Sequence, residues 1–213
     1  AINLLLLLLL GNILWVGLIT IAERSLDTML ANSSVMHMGY IFLGVACFNV
    51  VGSSGAVLLM FAHGISIALL FGLCGKLRDD VGTVRFDMLG GLGSVAPGFA
   101  FVFGLGAFAS IGLPGFANFA GEVMVFLGSF KDFGGESGRL QVTAMLAVWG
   151  IVISAVYALR AYRNIFQGKV SAASDSRVIT KGWRFPSYLL IAALLIIGCF
   201  PNLFLNLLPS TDS

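Results

Sequence analysis

Charge is what this chain lacks most. Its 213 residues include 12 basic and 10 acidic ones, 10% in all, against about a quarter in ordinary soluble domains. So little polarity cannot cover a water-facing surface, which excludes a soluble fold of this length. The net charge is only +2 and the basic residues are scattered, so no basic face is available to neutralise phosphates and a nucleic-acid partner is excluded. Cysteine is also sparse. Cys47, Cys74 and Cys199 are odd in number, widely spaced and set in apolar segments. They form neither a disulfide framework nor a CxxC metal site, and read as small core residues. No metal-ligand cluster, Ser-His-Asp arrangement or haem-like histidine pair emerges from the spacing. Gly90-Gly91-Leu92-Gly93 has no strand before it, and Leu73-Cys74-Gly75-Lys76 lacks the earlier glycine and the hydroxyl residue of a P-loop. No cofactor, metal or redox centre is expected in this chain.

What is abundant is apolar: 58% of the residues are hydrophobic and the mean hydropathy is +0.99. A hydrocarbon core of roughly 30 Å needs about 20 apolar residues per helical crossing. With charges and turn residues as punctuation, seven segments separate, at 2–22, 34–52, 55–75, 91–111, 112–130, 140–166 and 185–208. The expectation is an all-α, polytopic transmembrane bundle of about seven spans forming one domain, 1–213, tightly packed through its 27 glycines. Leu4 to Leu10 are seven consecutive leucines with no basic region before them and no cleavage signal after them. They read as a first span rather than a signal peptide. An opening without Met that runs straight into lipid suggests a piece of a longer or split subunit. Asn32, Ser33 and Ser34 read as a helix cap. Basic residues in alternate connectors balance, six against six, and the cluster between Gly168 and Arg184 points weakly to a cytoplasmic or matrix face.

Once the connectors are removed, the ionisable residues at membrane depth are Glu122, His63 and, nearer a helix start, His37. A carboxylate in mid-span costs at least ~2.5 kcal/mol and marks a bundle interior or a water-filled path. Gly112-Leu113-Pro114-Gly115 precedes Glu122 and Gly121 adjoins it, a combination that interrupts a helix and frees backbone groups to hold water. Glu122 is therefore the leading proton-transfer candidate; the alternative is a Glu bonded to a neighbouring helix with no transport role. His63, between Ala62 and Gly64, suits a proton relay because neutral imidazole donates and accepts at once. The alternative is a packing histidine bonded to a carbonyl. His37, a weaker candidate, reads as an ordinary interfacial residue. Asn12, Asn49 and Asn118 could bind water or neighbouring helices.

The words Ser33-Ser34-Val35-Met36-His37-Met38-Gly39, Ala62-His63-Gly64 and Leu113-Pro114-Gly115-Phe116-Ala117-Asn118-Phe119-Ala120-Gly121-Glu122 occur in that order. Together they resemble the antiporter-like subunit M, or chain 4, family of proton-pumping NADH:quinone oxidoreductase, respiratory complex I. The resemblance implies spans eight to fourteen of a fourteen-span fold, with one helix interrupted near Pro114 to Glu122. It also implies that Glu122 is a terminal proton-loading carboxylate and that His63 lies on the hydrated axis leading to it. NADH, flavin, iron–sulfur clusters and quinone would reside in partner subunits. The partners would be other membrane-arm subunits, lipids and, for a split subunit, a separate chain supplying the first seven spans. The location would be a bacterial or mitochondrial inner membrane. Where related antiporter subunits usually carry Lys, this sequence has Glu122. The chain departs from the family in lacking a buried Lys in 2–22, in having Ser25-Leu26-Asp27-Thr28 for Asp-x-Lys-Arg, and in Gly82 for a His. A non-pumping structural module of the membrane arm and a cation/proton antiporter subunit are the alternatives.

Overall fold

The computed structural model describes residues 2–131, 138–170 and 179–207. These residues form helices and no strands, with one isolated bridge between Ser25 and Arg85. The long helices are α1 (Ile2–Ala22, with a π-helical turn at Asn12–Val16), α2 (Leu26–Val45) and α3 (Val50–Val81). A short α4 (Leu92–Val95) precedes α5 (Pro97–Ile111), α6 (Ala117–Phe130) and α7 (Arg139–Phe166). A 3₁₀ turn at Lys181–Trp183 leads into α8 (Arg184–Cys199), and α9 (Asn202–Leu205) follows. Four helices are long and apolar enough to cross a membrane: α1, α3, α7 and Lys181–Cys199.

The region read from sequence as two spans, 91–111 and 112–130, takes a different form. At 1.5 Å per residue α5 and α6 are only about 22 and 21 Å long, each short of a hydrocarbon core. They run end to end along α3. Gly106 packs on Leu69 and Leu70, Gly121 on Leu59, Gly55 on Met124 and Val125, and Gly128 on Gly52. This ordered, antiparallel progression makes them two halves of one broken helix, joined at Gly112–Phe116. The break is where the sequence put an interruption, but Glu122 lies in regular helix beyond it. Gly112 and Gly115 have φ of 80° and 98°, the left-handed region that residues with a Cβ avoid. α8 closes over the break, since a Cβ at Gly198 would overlap the Gly115 carbonyl.

The α3–α6 contact is the most extensive between helices among the described residues, and its seam is glycine. A Cβ on Gly121 would lie 2.8 Å from the Leu59 backbone, and one on Gly128 would lie 2.5 Å from the Gly52 Cα. Without a hydrophobic drive between helices in lipid, this backbone proximity is what dispersion forces use.

The two ends of the bundle differ. At one end the Leu26 N–H donates to the Val84 carbonyl, Phe86 N–H to Arg24, and Gly91 N–H to Gln167, each at 3.0 Å. Thr180 N–H donates to Asp80 at 2.9 Å. Arg160 on α7 donates to the carbonyls of Ile21 and Glu23 and stands over the Phe86 ring. It therefore belongs to this end, not opposite Arg24 as strict alternation of seven spans requires. Its guanidinium satisfies carbonyls that the end of α1 leaves open. Arg160→Ala is expected to lower stability by ~2 kcal/mol, the scale of lost charge-assisted bonds. Thermal melting of the detergent-solubilised protein checks this, and an unchanged midpoint would remove Arg160 as a cap.

Several local expectations are revised. Ser25 precedes the first turn of α2, whereas Asn32, Ser33 and Ser34 lie inside the helix and cap nothing. His37 is consequently in mid-helix and 1% exposed rather than interfacial. Cys47 and Cys74 are buried as expected, but Cys199 is exposed. Residues 132–137, the middle of 168–184 and position 208 lie outside the described residues.

Candidate functional site

Five helices converge on a buried polar cluster. α2 turns one face inward every three or four residues, which brings Ser33, His37 and Tyr40 onto it. α3 contributes His63 and Ser66, the end of α5 Ser110, α6 Asn118 and Glu122, and α7 Tyr157. Asn118 and Glu122, four apart on α6, are 0% and 2% exposed. The Glu122 carboxylate folds back against Gly112, where any Cβ would overlap it. The helix break thus supplies the space in which the carboxylate sits.

The two histidines meet. Their rings stack with centroids 5.0 Å apart and planes inclined by 18°. His37 donates from Nδ1 to the Ser33 carbonyl at 2.8 Å, an acceptor that fixes that nitrogen as protonated. The Ser110 backbone also lies in hydrogen-bonding range of this ring. His63 pairs through Nε2 with the Ser34 hydroxyl at 3.0 Å, while its Nδ1 has no partner among the described residues. The Ser66 hydroxyl donates to the His63 carbonyl at 3.1 Å and accepts from Asn118 Nδ2 at 3.3 Å. Asn118 Oδ1 is likewise unpartnered among the described residues. A buried polar atom without a partner costs about 1–3 kcal/mol. His63 Nδ1 and Asn118 Oδ1 are therefore natural places for a water to bond.

All three candidates named from the sequence, Glu122, His63 and His37, enter one cluster, and Asn118 joins them. Asn12 and Asn49 do not. Asn12 donates to the Val35 carbonyl at 2.8 Å, and Asn49 caps α3 by accepting from Gly52 N–H at 2.9 Å. Missed altogether were Tyr40, whose ring lies 6.0 Å from that of His37, and Tyr157, bonded to Ser33 at 2.6 Å. No three His, Cys, Asp or Glu among the described residues are grouped to hold a metal.

A protein-family model described as NADH:quinone oxidoreductase/Mrp antiporter, TM matches residues 1–154. The chain belongs to this family. It is an integral membrane protein resembling the antiporter-like subunits of complex I. NAD(P)H-quinone oxidoreductase chain 4-2 of Nostoc sp. (strain PCC 7120) is 35% identical over 207 residues, covering 94% of this chain and 39% of that protein. NAD(P)H-quinone oxidoreductase chain 4 2 of Trichodesmium erythraeum is 40% identical over 155 residues, or 73% and 28% of the two chains. The chain thus spans well under half the length of these relatives. Among solved structures, a chain of respiratory complex I from Thermus thermophilus with bound NADH superposes with a TM-score of 0.85 at 32% identity. It covers 96% of this chain and 42% of that one. A chain of the Mrp complex from Dietzia sp. has the same fold, with a TM-score of 0.84 at 20% identity over 96% of this chain and 45% of that one.

Proposed function

We propose that the chain carries protons across a membrane as part of a membrane-arm subunit of a complex I-like quinone oxidoreductase. The observation that carries this is a buried carboxylate at the break of a membrane helix and, on the two helices packed against it, a buried pair of stacked imidazoles. Glu122 takes up and releases the proton at its carboxylate oxygens. The His37–His63 pair passes protons through ring nitrogens, with the Ser34 hydroxyl positioning the His63 ring and Asn118 Oδ1 holding intervening water. The π-turn and Asn12 occupy α1, where the resemblance leads one to look for Lys.

In this reading NADH, flavin, iron–sulfur clusters and quinone remain in other subunits, and the Glu122 site answers to redox energy released there. Other membrane-arm subunits, lipids and the rest of the subunit, in the same or a separate polypeptide, complete the assembly. Residues 1–213 act as one transmembrane unit. Its crossings are α1, α2, α3, the broken α5–α6, α7 and the α8–α9 region, six in place of about seven, and they correspond to the last six of the family's fourteen. The membrane is a bacterial or mitochondrial inner membrane.

The orientation follows from the regrouped ends. Arg24, Arg78, Arg85, Arg160, Lys169, Lys181 and Arg184 gather at one end, whereas Lys131 and Arg139 are at the other. The positive-inside rule places the richer end in the cytoplasm or matrix. A cysteine introduced at Thr83 is expected to be shielded from a membrane-impermeant maleimide in intact cells or mitoplasts and labelled in inverted vesicles. The reverse pattern would invert the topology.

The test of function is proton uptake into sealed inverted vesicles by the assembled complex carrying Glu122→Gln, beside its quinone reduction rate. Loss of uptake at normal assembly supports translocation. Unchanged uptake removes it and leaves the architectural role. The family model and the Mrp fold favour a cation/proton antiporter as second reading; uptake that persists in sodium- and potassium-free medium argues against it.

A further inference from the structure

The basic end of the bundle carries more positive charge than its own acids neutralise. Asp27, Asp80 and Asp87 are taken up by Arg78, Lys76 and Arg85, and Glu23 accepts from Thr28 and Asn32. Arg163, Lys169, Lys181 and Arg184 are exposed and form no ion pair among the described residues. They surround the start of α5. The Phe99 ring stands 5.4 Å from that of Trp183 and 6.1 Å from that of Phe166, so the first turn of α5 is wedged between the end of α7 and the start of α8. Two depressions open here. One, of about 200 Å³, sets Lys181, Trp183 and Arg184 against Pro97 and Gly98. The other, of about 280 Å³, is a furrow between α5 and α7, with Phe101, Gly104 and Phe108 on one side and Leu159, Tyr162 and Gln167 on the other. Pro97, Phe101, Gly104 and Phe108 recur at helical spacing, so the two depressions follow one face of α5. Gly104 deepens the furrow, because even a Cβ there would stand 3.3 Å from the Tyr162 ring. Arg163 lies one turn beyond Leu159 on α7, toward the basic end. Asp79, the exposed acid of this end, lines a separate groove between α3 and α8.

We propose that this face is the seat of one anionic phospholipid, with its phosphate at the Lys181–Arg184 pocket and one acyl chain in the α5–α7 furrow. The charges select this occupant. A soluble anion matches the cations but leaves the apolar furrow unfilled, and an apolar helix fills the furrow but leaves the cations unmatched. A zwitterionic lipid brings a cation of its own to a place that already has four. Only an amphiphile with a net negative head and an apolar tail answers both depressions at once. The furrow runs about 10 Å along α5 from Phe101 to Phe108, away from the basic end, as a chain hanging from a surface headgroup must run. A lipid tail finds bulk bilayer as apolar as the furrow, so the furrow contributes close packing and selection falls on the head. Basic pockets between membrane helices suit anionic headgroups for this reason, and a guanidinium such as that of Arg184 can meet two phosphate oxygens together. The seated lipid bridges α5, α7 and the start of α8 at the end of α5 remote from the Gly112–Phe116 joint. The inference does not depend on the proton-carrying role of the Glu122 cluster.

The experiment reconstitutes the assembled complex into phosphatidylcholine vesicles containing a trace of either phosphatidylglycerol or phosphatidylcholine with a photoactivatable diazirine in one acyl chain. The two probes are used at equal mole fraction, and cross-linked peptides are identified by mass spectrometry. Phosphatidylglycerol is expected to label 101–108 and 159–167 about tenfold more than phosphatidylcholine does. The outward face of α7 at Met145, Trp149 and Val152, exposed but far from the pocket, should show no such preference. Lys181→Gln and Arg184→Gln are each expected to lower the preference about fivefold, the worth of one cation near an anionic lipid, and Arg184→Lys to keep most of it. Equal labelling of the furrow by both probes assigns it to bulk lipid and overturns the seat. No labelling by either means that another polypeptide covers the furrow, which also overturns it. A preference that survives both Gln variants, with assembly normal on a native gel, removes the pocket as its cause. The comparison of the two probes is made on the unaltered complex, so it decides the matter even where a variant fails to assemble.

Discussion

Replacing Glu122 by glutamine is expected to leave the complex assembled and its proton uptake abolished. Glutamine has the size of glutamate, so it fits the space opened by Gly112, and it relieves the cost of a carboxylate held at 2% exposure. Assembly should therefore be equal or better. What glutamine cannot do is bind and release a proton on the time scale of turnover. A rate loss of at least ~100-fold is the ordinary consequence of removing a positioned acid–base group. Asp at this position shortens the side chain by one methylene and pulls the carboxyl from Gly112. It should restore part of the activity, because a titrating group survives at the wrong place. Vesicle acidification, electron transfer and native-gel assembly, measured on the same preparations, separate these outcomes. Equal uptake by Gln and wild type would end the case for Glu122.

The second large effect is structural. Gly121→Leu puts a branched side chain where even a Cβ would stand 2.8 Å from the Leu59 N, Cα and Cβ. Backbone cannot rotate away as a side-chain tip can, so α6 must separate from α3 along the seam that also contains Gly55 and Gly128. Overpacking costs about 1–3 kcal/mol in adaptable cores and more where nothing yields; here ~3 kcal/mol or above is expected. The subunit should fail to accumulate in the membrane, as an immunoblot of membrane fractions will register. Gly64→Leu is the control, since a Cβ there meets nothing within 4 Å, and it should accumulate normally.

Much of this architecture could be read from residues in order, and the errors have physical causes. The burial of Glu122 was legible because a carboxylate in an apolar stretch needs a reason to be there, and Gly112 to Gly115 announced the break. That same break was also read as a connector between two spans, because glycine and proline punctuate loops and broken helices alike. Only the sequence of contacts along α3 distinguishes them. His37 was placed too near the membrane surface because three polar residues in a row look like a cap. In the fold Ser33 and Ser34 face Tyr157 and His63 instead. Tyr157 carries no motif. The available signal was a stripe of small residues, Gly150, Ser154 and Ala161, on its face of α7, which marks the side pressed against a neighbour. Arg160 was misassigned because its end of the bundle depended on counting spans correctly.

The pairing of α3 with α5 and α6 has a mechanical side. α3 is an unbroken helix of 32 residues, a stiff beam about 48 Å long at 1.5 Å per residue. Beside it stands a jointed strut whose joint, between Gly112 and Phe116, is next to the Glu122 carboxylate. With α6 held in place by the beam, a tilt of α5 about its end at the basic side would be taken up at that joint. For a lever of about 22 Å, a tilt of roughly 5° moves its inner end by about 2 Å. That is comparable with the difference between a hydrogen bond and none. The joint thus converts a small lean of one half-helix into making or breaking a contact at one carboxylate.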